Sequence, residues 1–188
     1  MRFRFFYPVG AAALLSLGTA CGSSSGGCNP QDPASLAPFR SVEIDSAVTA
    51  DLTVEPGSPQ KVDVVEGTTV TTCVSNEILY IDKTGGEWLT NVSITMPEID
   101  SVNVKSASNL TATGTTDSYT LTLSSASGAS AEDLVAKQVS VDFSKASSGK
   151  INVSNAVDGV LTGESDLTVS GGADTSGVEA ADGTISTG

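Results

Sequence analysis

The feature that most constrains this chain is a segment that returns several times in its C-terminal half. VNVKSASNLTA, starting at Val102, comes back as LTLSSASGASA at Leu121, as VDFSKASSGKI at Val141 and, more loosely, as GVLTGESDLTV at Gly159. The starts lie 19, 20 and 18 residues apart, and a shortened copy, VEAADGTISTG, begins at Val178. Each copy joins an apolar pair two positions apart to a small polar turn, Ser-Ala-Ser or a variant of it, and then to another short strand. A period near 19 is too short for two helices or a propeller blade, but it suits one rung of a β-solenoid, with three short strands separated by tight turns. The predicted fold is therefore all-β, a parallel β-helix or solenoid with rungs of about 18–20 residues. Periodicity does not distinguish parallel from antiparallel pairing, so an antiparallel β-sandwich stands as the alternative.

Composition agrees with a narrow core. The chain is 39% hydrophobic but only 5% aromatic, so Val, Leu, Ile and Ala must fill the interior. Between Phe39 and Asp82, SVEID, ADLTVE, KVDVV and EILYID carry apolar residues two apart, at Val42/Ile44, Leu52/Val54, Val62/Val64 and Leu79/Ile81. This alternation sends one face inward and leaves Glu43, Asp63 and Tyr80 on the other. SAEDLVAKQ, from Ser130 to Gln138, has helix-compatible charges, yet it falls at the strand phase of its repeat and reads as turn plus strand.

The N-terminus has the three-part layout of a secretory signal peptide: Arg2 and Arg4, an apolar run from Phe5 to Leu17, and small residues up to Cys21. The expected organisation is a signal peptide at 1–20, a Ser/Gly/Pro-rich lipid-anchored tether at 21–38 and one β domain at 39–188. Cys21 resembles the acylated cysteine of a bacterial lipobox, although Leu17 lies four rather than three positions before it; cleavage after Ala20 without lipid is the alternative. Three cysteines in an oxidising compartment leave one unpaired unless lipid consumes it. Acylation of Cys21 leaves Cys28 and Cys73 as a candidate disulfide, against the alternative of a buried Cys73 and a free Cys28. Gly22 after the cysteine favours, by resemblance to other lipoproteins, the outer membrane; a secreted or periplasmic soluble form is the alternative.

The opening F-R-S-V-E-I, the I-L-Y-I strand, the run V-S-I-T-M-P-E-I-D-S-V from Val92 to Val102 and the Ser-Ala-Ser rungs together resemble the head GIN domain family of auto-transporter adhesins. The resemblance implies a right-handed β-helix-like fold and a cell-surface role, with adhesion as the expected activity. It carries over no catalytic residue. Family members often have Ser-Gly-Ser where this chain has Ser-Ala-Ser.

The residues also exclude some chemistry. The chain has no histidine, so His-dependent triads and His-ligated zinc are ruled out. Its formal charge is −13, and the two leader arginines are among only nine basic residues. Nucleic acid is thereby disfavoured as a partner. Ser147 and Lys150 stand in Ser-x-x-Lys spacing but without the companion motifs of penicillin-recognising enzymes. GGADTSG at Gly171 occurs once, where calcium-binding repeats recur. Trp88, the sole tryptophan, is a candidate surface contact, with a plug at the end of the core as the other reading. No catalytic residue, metal or cofactor is expected. The sequence thus predicts a non-enzymatic lipoprotein that presents a β-solenoid face to an unknown protein or glycan partner, held to its membrane by the lipid anchor. The alternatives are a carbohydrate-active β-helix enzyme, with outward acids such as Asp142 and Asp158 as candidates, and a structural component, a homo-oligomer that stacks end to end.

Overall fold

The computed structural model describes residues 29–65, 69–85 and 90–188. Cys21, Cys28, Trp88 and the expected leader lie outside the described residues. The rest is all-β as predicted: thirteen strands join in one mixed sheet, and the only helical element is a 3-10 turn at Pro33–Ser35. In chain order the strands are β1 (Ser41–Ile44), β2 (Thr49–Val54), β3 (Lys61–Val64), β4 (Thr69–Ser75), β5 (Ile78–Gly85), β6 (Asn91–Met96), β7 (Ser101–Val104), β8 (Asn109–Leu123), β9 (Gly128–Phe143), β10 (Ser148–Leu161), β11 (Asp166–Ser170), β12 (Asp174–Ala180) and β13 (Thr184–Thr187).

Within the repeats all pairing is parallel, and each strand pairs with the copy one repeat later. Val102 lies beside Leu121, Leu121 beside Val141, and Ser148 beside both Gly128 and Asp166. The antiparallel sandwich therefore does not describe the repeats. Antiparallel ladders occur only outside them among the described residues, where β3 pairs β6 and β4 pairs β5. The strands form two columns. One runs through β5, β1, β7 and the C-terminal parts of β8, β9 and β10 to β12. The other runs through β6, β2 and the N-terminal parts of β8, β9 and β10 to β11 and β13.

The expectation of three separate strands per repeat needs correction. Each of β8, β9 and β10 is one long strand that serves both columns, bent where its register with the neighbour shifts, as between Thr111 and Thr113 and between Val153 and Ala156. Such irregularities bend a strand without ending its ladder. One tight turn per repeat is then enough, and the Ser-Ala-Ser motif supplies it. Ser106/Ala107, Ser125/Ala126, Lys145/Ala146 and Gly163/Glu164 are consecutive pairs with φ between +51° and +63°. In the first three pairs the second residue's N–H bonds the next repeat: Ala107 N donates to Ser125 O, Ala126 N to Lys145 O and Ala146 N to Gly163 O. The following serine turns inward. Ser108, Ser127, Ser147 and Ser165 are all buried, and their hydroxyls are matched to backbone groups, as when Ser127 Oγ donates to Val104 O and Ser165 Oγ to Thr162 O. These bonds offset the desolvation that a buried hydroxyl would otherwise suffer.

Alternation fills the interior between the columns. Val42, Ile44, Val102, Val104, Leu121, Leu123, Val141 and Phe143 come from one column; Leu52, Val54, Ile94, Met96, Leu110, Ile151, Leu167 and Val169 come from the other. Ser130–Gln138 lies wholly within β9, with Leu134 and Ala136 buried, so tertiary stacking overrides its helical charge pattern. Within the stretch expected as tether, Gln31 bridges to Thr72 and Leu36 packs on the core.

Candidate binding surface

Because the turns repeat in phase, residues that point outward fall into columns as regular as the core. The middle of the β2/β6 side carries Ser93, Asp51, Thr111, Ser130, Lys150, Thr168 and Ser186, each beside the next. Neighbouring strands are about 4.8 Å apart, so this is a continuous polar ladder. Its members Thr168 and Ser186 have hydroxyls 3.1 Å apart, and in the neighbouring outward row Thr184 Oγ1 bonds Asp166. A shallow depression of about 410 Å³ lies over the ladder, bordered by Asn109, Thr111, Ser130, Ser148, Lys150 and Thr168. Lys150 is the ladder's cation, 3.7 Å from Glu132. The strand asparagines Asn91 and Asn109 are exposed and Asn152 is half-exposed, as expected of outward positions.

A second concavity, about 700 Å³, lies where β8 and β9 bend. Arg40 reaches over from the segment before β1 and bonds Asp100 with two nitrogens, Nε to Oδ2 at 2.8 Å and Nη2 to Oδ1 at 2.9 Å, while Nη1 meets Glu98 at 2.5 Å. The hydrogen bond from Arg40 holds the Asp100 carboxyl below its ordinary range, against a smaller opposing effect of burial. Lys137 and Asp117, 2.6 Å apart, close another side. Val135 is 46% exposed on the wall, an apolar spot among charges. This groove was not predicted. Arg40 as the sole arginine beyond the leader, with Glu98 and Asp100 following Pro97, is the trace it leaves in the sequence.

The other candidate positions have plain locations. Ser147 is a buried turn residue whose Oγ donates to Ser144 O at 2.7 Å, so it does not face Lys150 as a nucleophile. Asp142 and Asp158 are exposed on the β1/β7 side, where Asp142 lies beside Val160 and Asp158 beside Ser140. Gly171 begins a turn into β12; Asp174 accepts a hydrogen bond from Ser176 N at 2.9 Å, which holds its carboxyl below the ordinary range. Cys73 is buried and disulfide-bonded. Among the described residues, no cluster of three or more acids or cysteines could hold a metal ion, and no helix is long and apolar enough to cross a membrane.

Comparison with curated proteins finds no match. Among solved structures, a putative adhesin from Bacteroides fragilis covers 81% of this chain and 93% of its own, at 10% identity and a TM-score of 0.46. A putative lipid binding protein from Parabacteroides distasonis covers 87% and 98%, at 10% identity and a TM-score of 0.34. A putative adhesin from Parabacteroides merdae covers 81% and 93%, at 11% identity and a TM-score of 0.33. Residues 101–173 match the family described as "Putative auto-transporter adhesin, head GIN domain", the same family that the sequence resembles.

Proposed function

We propose that the chain is an exported, non-enzymatic binding protein of the adhesin kind, displayed at the cell surface, whose repeats wind as a right-handed parallel β-solenoid. The observation that carries this reading is the in-register polar ladder from Ser93 to Ser186, a regular surface that the repeat spacing itself creates. Parallel pairing between successive repeats supports the solenoid, and the strong right-handed preference of parallel crossovers supports its hand. The family match supports the adhesive role.

In this reading Cys21 is acylated and anchors the chain to the outer membrane, and Cys28 pairs with Cys73. The bridge from Gln31 N to Thr72 O, 2.7 Å long, supports that pairing, since it lays the chain just after Cys28 beside the residue just before Cys73. Intact mass of the membrane-extracted protein tests leader removal, acylation and disulfide together. An unacylated mass would remove the anchor from the proposal.

The binding role is tested on protein and glycan arrays, comparing the native chain with a Thr111→Glu/Thr168→Glu variant that keeps the fold but spoils the ladder. Binding that the variant loses is the expected result. Absence of any binding would count against adhesion. Polysaccharide turnover that disappears in Asp142→Asn/Asp158→Asn would replace the reading with the enzymatic one.

A further inference from the structure

The two ends of the strand stack differ. At the N-terminal end both columns are covered, because antiparallel β4 lies on β5 and antiparallel β3 lies on β6. Gln31 then closes over β4, with its N donating to Thr72 O and its Oε1 accepting from Val74 N at 3.0 Å. At the other end the outermost strands are β12 and β13. β12 pairs only with β10, and β13 only with β11, among the described residues.

Among the described residues, these outer edges carry hydrogen-bonding groups without strand partners. Thr184 N and Gly188 N donate inward to Ser165 O and Val169 O. Alternate residues of a strand aim their backbone groups to opposite sides, so Ile185 and Thr187 aim theirs outward. The core is also less covered here among the described residues. Leu161, Leu167 and Val169 are fully buried, whereas Val178 and Ile185 in the next layer are only partly so. β13 has neither charge nor proline, the devices that usually blunt an edge.

Charge indicates what kind of strand would fit. Lys150 is the last basic residue, and the remainder of the chain holds six acids: Asp158, Glu164, Asp166, Asp174, Glu179 and Asp182. A second copy docked end to end would set this acidic end against its like, or against an N-terminal end already covered by β3 and β4. A basic strand meets opposite charge instead.

We propose that the edge formed by β12 and β13 takes an extended basic segment of a partner protein by strand addition, in the place a further repeat would occupy. Backbone bonds to the outward groups around Ile185 hold the segment. Its apolar residues cover Val178 and Ile185, and its Lys or Arg residues meet the terminal acids. This surface is separate from the polar ladder, and the inference does not depend on the adhesive reading.

The test is fluorescence anisotropy of the full chain with a labelled decapeptide of alternating Lys and Val. Expected is saturable binding that weakens by about tenfold or more when alternate peptide nitrogens are methylated, which keeps the charge but blocks strand pairing. A Glu-Val decapeptide should bind about tenfold more weakly as well, and Glu179→Gln/Asp182→Asn should weaken the Lys-Val peptide about threefold. Ile185→Pro removes one outward N–H while sparing the inward bonds of Thr184 and Gly188, and should abolish binding without loss of fold by circular dichroism. No binding of the Lys-Val peptide would overturn the proposal. So would equal binding of its methylated form, which would mean charge alone. Self-association of the native chain that Ile185→Pro abolishes would assign the edge to a second copy and overturn it equally.

Discussion

The ring of Phe143 fills the space in front of Gly149: a methyl group on Gly149 would stand 2.4 Å from Phe143 Cζ and 2.5 Å from Cε2. Phe143 is completely buried, the largest side chain so placed among the described residues. In a core made mostly of Val, Leu and Ile, a phenyl ring is accommodated because the facing column has no side chain at that level.

Gly149→Ala should therefore destabilise the fold by about 1–3 kcal/mol, the range for overpacking a tight core. The double variant Phe143→Leu/Gly149→Ala should recover much of the loss, since the smaller side chain vacates the clash. Urea denaturation of the singles and the double gives the coupling. Simple additivity would show that the two residues are not one packing unit.

The turn alanines should respond in the opposite direction. Ala107, Ala126 and Ala146 have φ near +60°, a conformation that strains any residue with a Cβ. Replacing each by Gly removes that strain but loosens the unfolded chain, leaving a net gain of about 0.5 kcal/mol per site. Ala126→Val at the same place should destabilise, because a β-branched side chain tolerates positive φ least. Thermal unfolding of the triple Gly variant against the native chain reads the sign.

That turn shows how much the sequence discloses. Its repeat spacing and the alternation around Val102, Leu121 and Val141 were enough to predict an all-β fold and the strand phase of Ser130–Gln138. The period near 19 also pointed to parallel rungs, and the repeats pair that way, although apolar alternation by itself is the same for either direction. β4 was missed for a local reason: in Thr69–Ser75 the adjacent residues Thr72 and Cys73 are both buried, which breaks the period of two. The long bent strands were missed because bends arise from register shifts between neighbours, and no single copy of the repeat records them. The polar ladder could be anticipated from its Ser and Thr content, whereas the Arg40 groove depends on residues brought together from positions 60 apart.

Tyr119 offers a test of polar burial. It stands in the core with its hydroxyl lacking a hydrogen-bond partner among the described residues, and burial pushes its ionisation well above the usual phenol range. An unpaired buried hydroxyl costs about 1–3 kcal/mol in lost hydration. Tyr119→Phe should be neutral or stabilising by up to about 1 kcal/mol, measured by urea denaturation. A loss above about 1 kcal/mol would mean the hydroxyl has a partner, such as an ordered water.

The Arg40–Asp100 pair should make a small pH-dependent contribution on the acidic side. Because Arg40 lowers the folded-state pKa of Asp100, the folded protein holds the carboxylate more readily than the unfolded chain does. The contribution is thus complete above the ordinary carboxylate range, near about pH 4, and is lost as pH falls through the lower folded value. Both partners are about half exposed, with side chains 44% and 54% accessible, so solvent and salt screen the effect. Asp100→Asn removes the titrating group, so the stability difference between native and variant should shrink on acidification below about pH 4 and should also narrow in high salt at neutral pH. A difference that persists unchanged at low pH would assign the effect of Asp100 to the shape of the loop after Pro97 rather than to its charge.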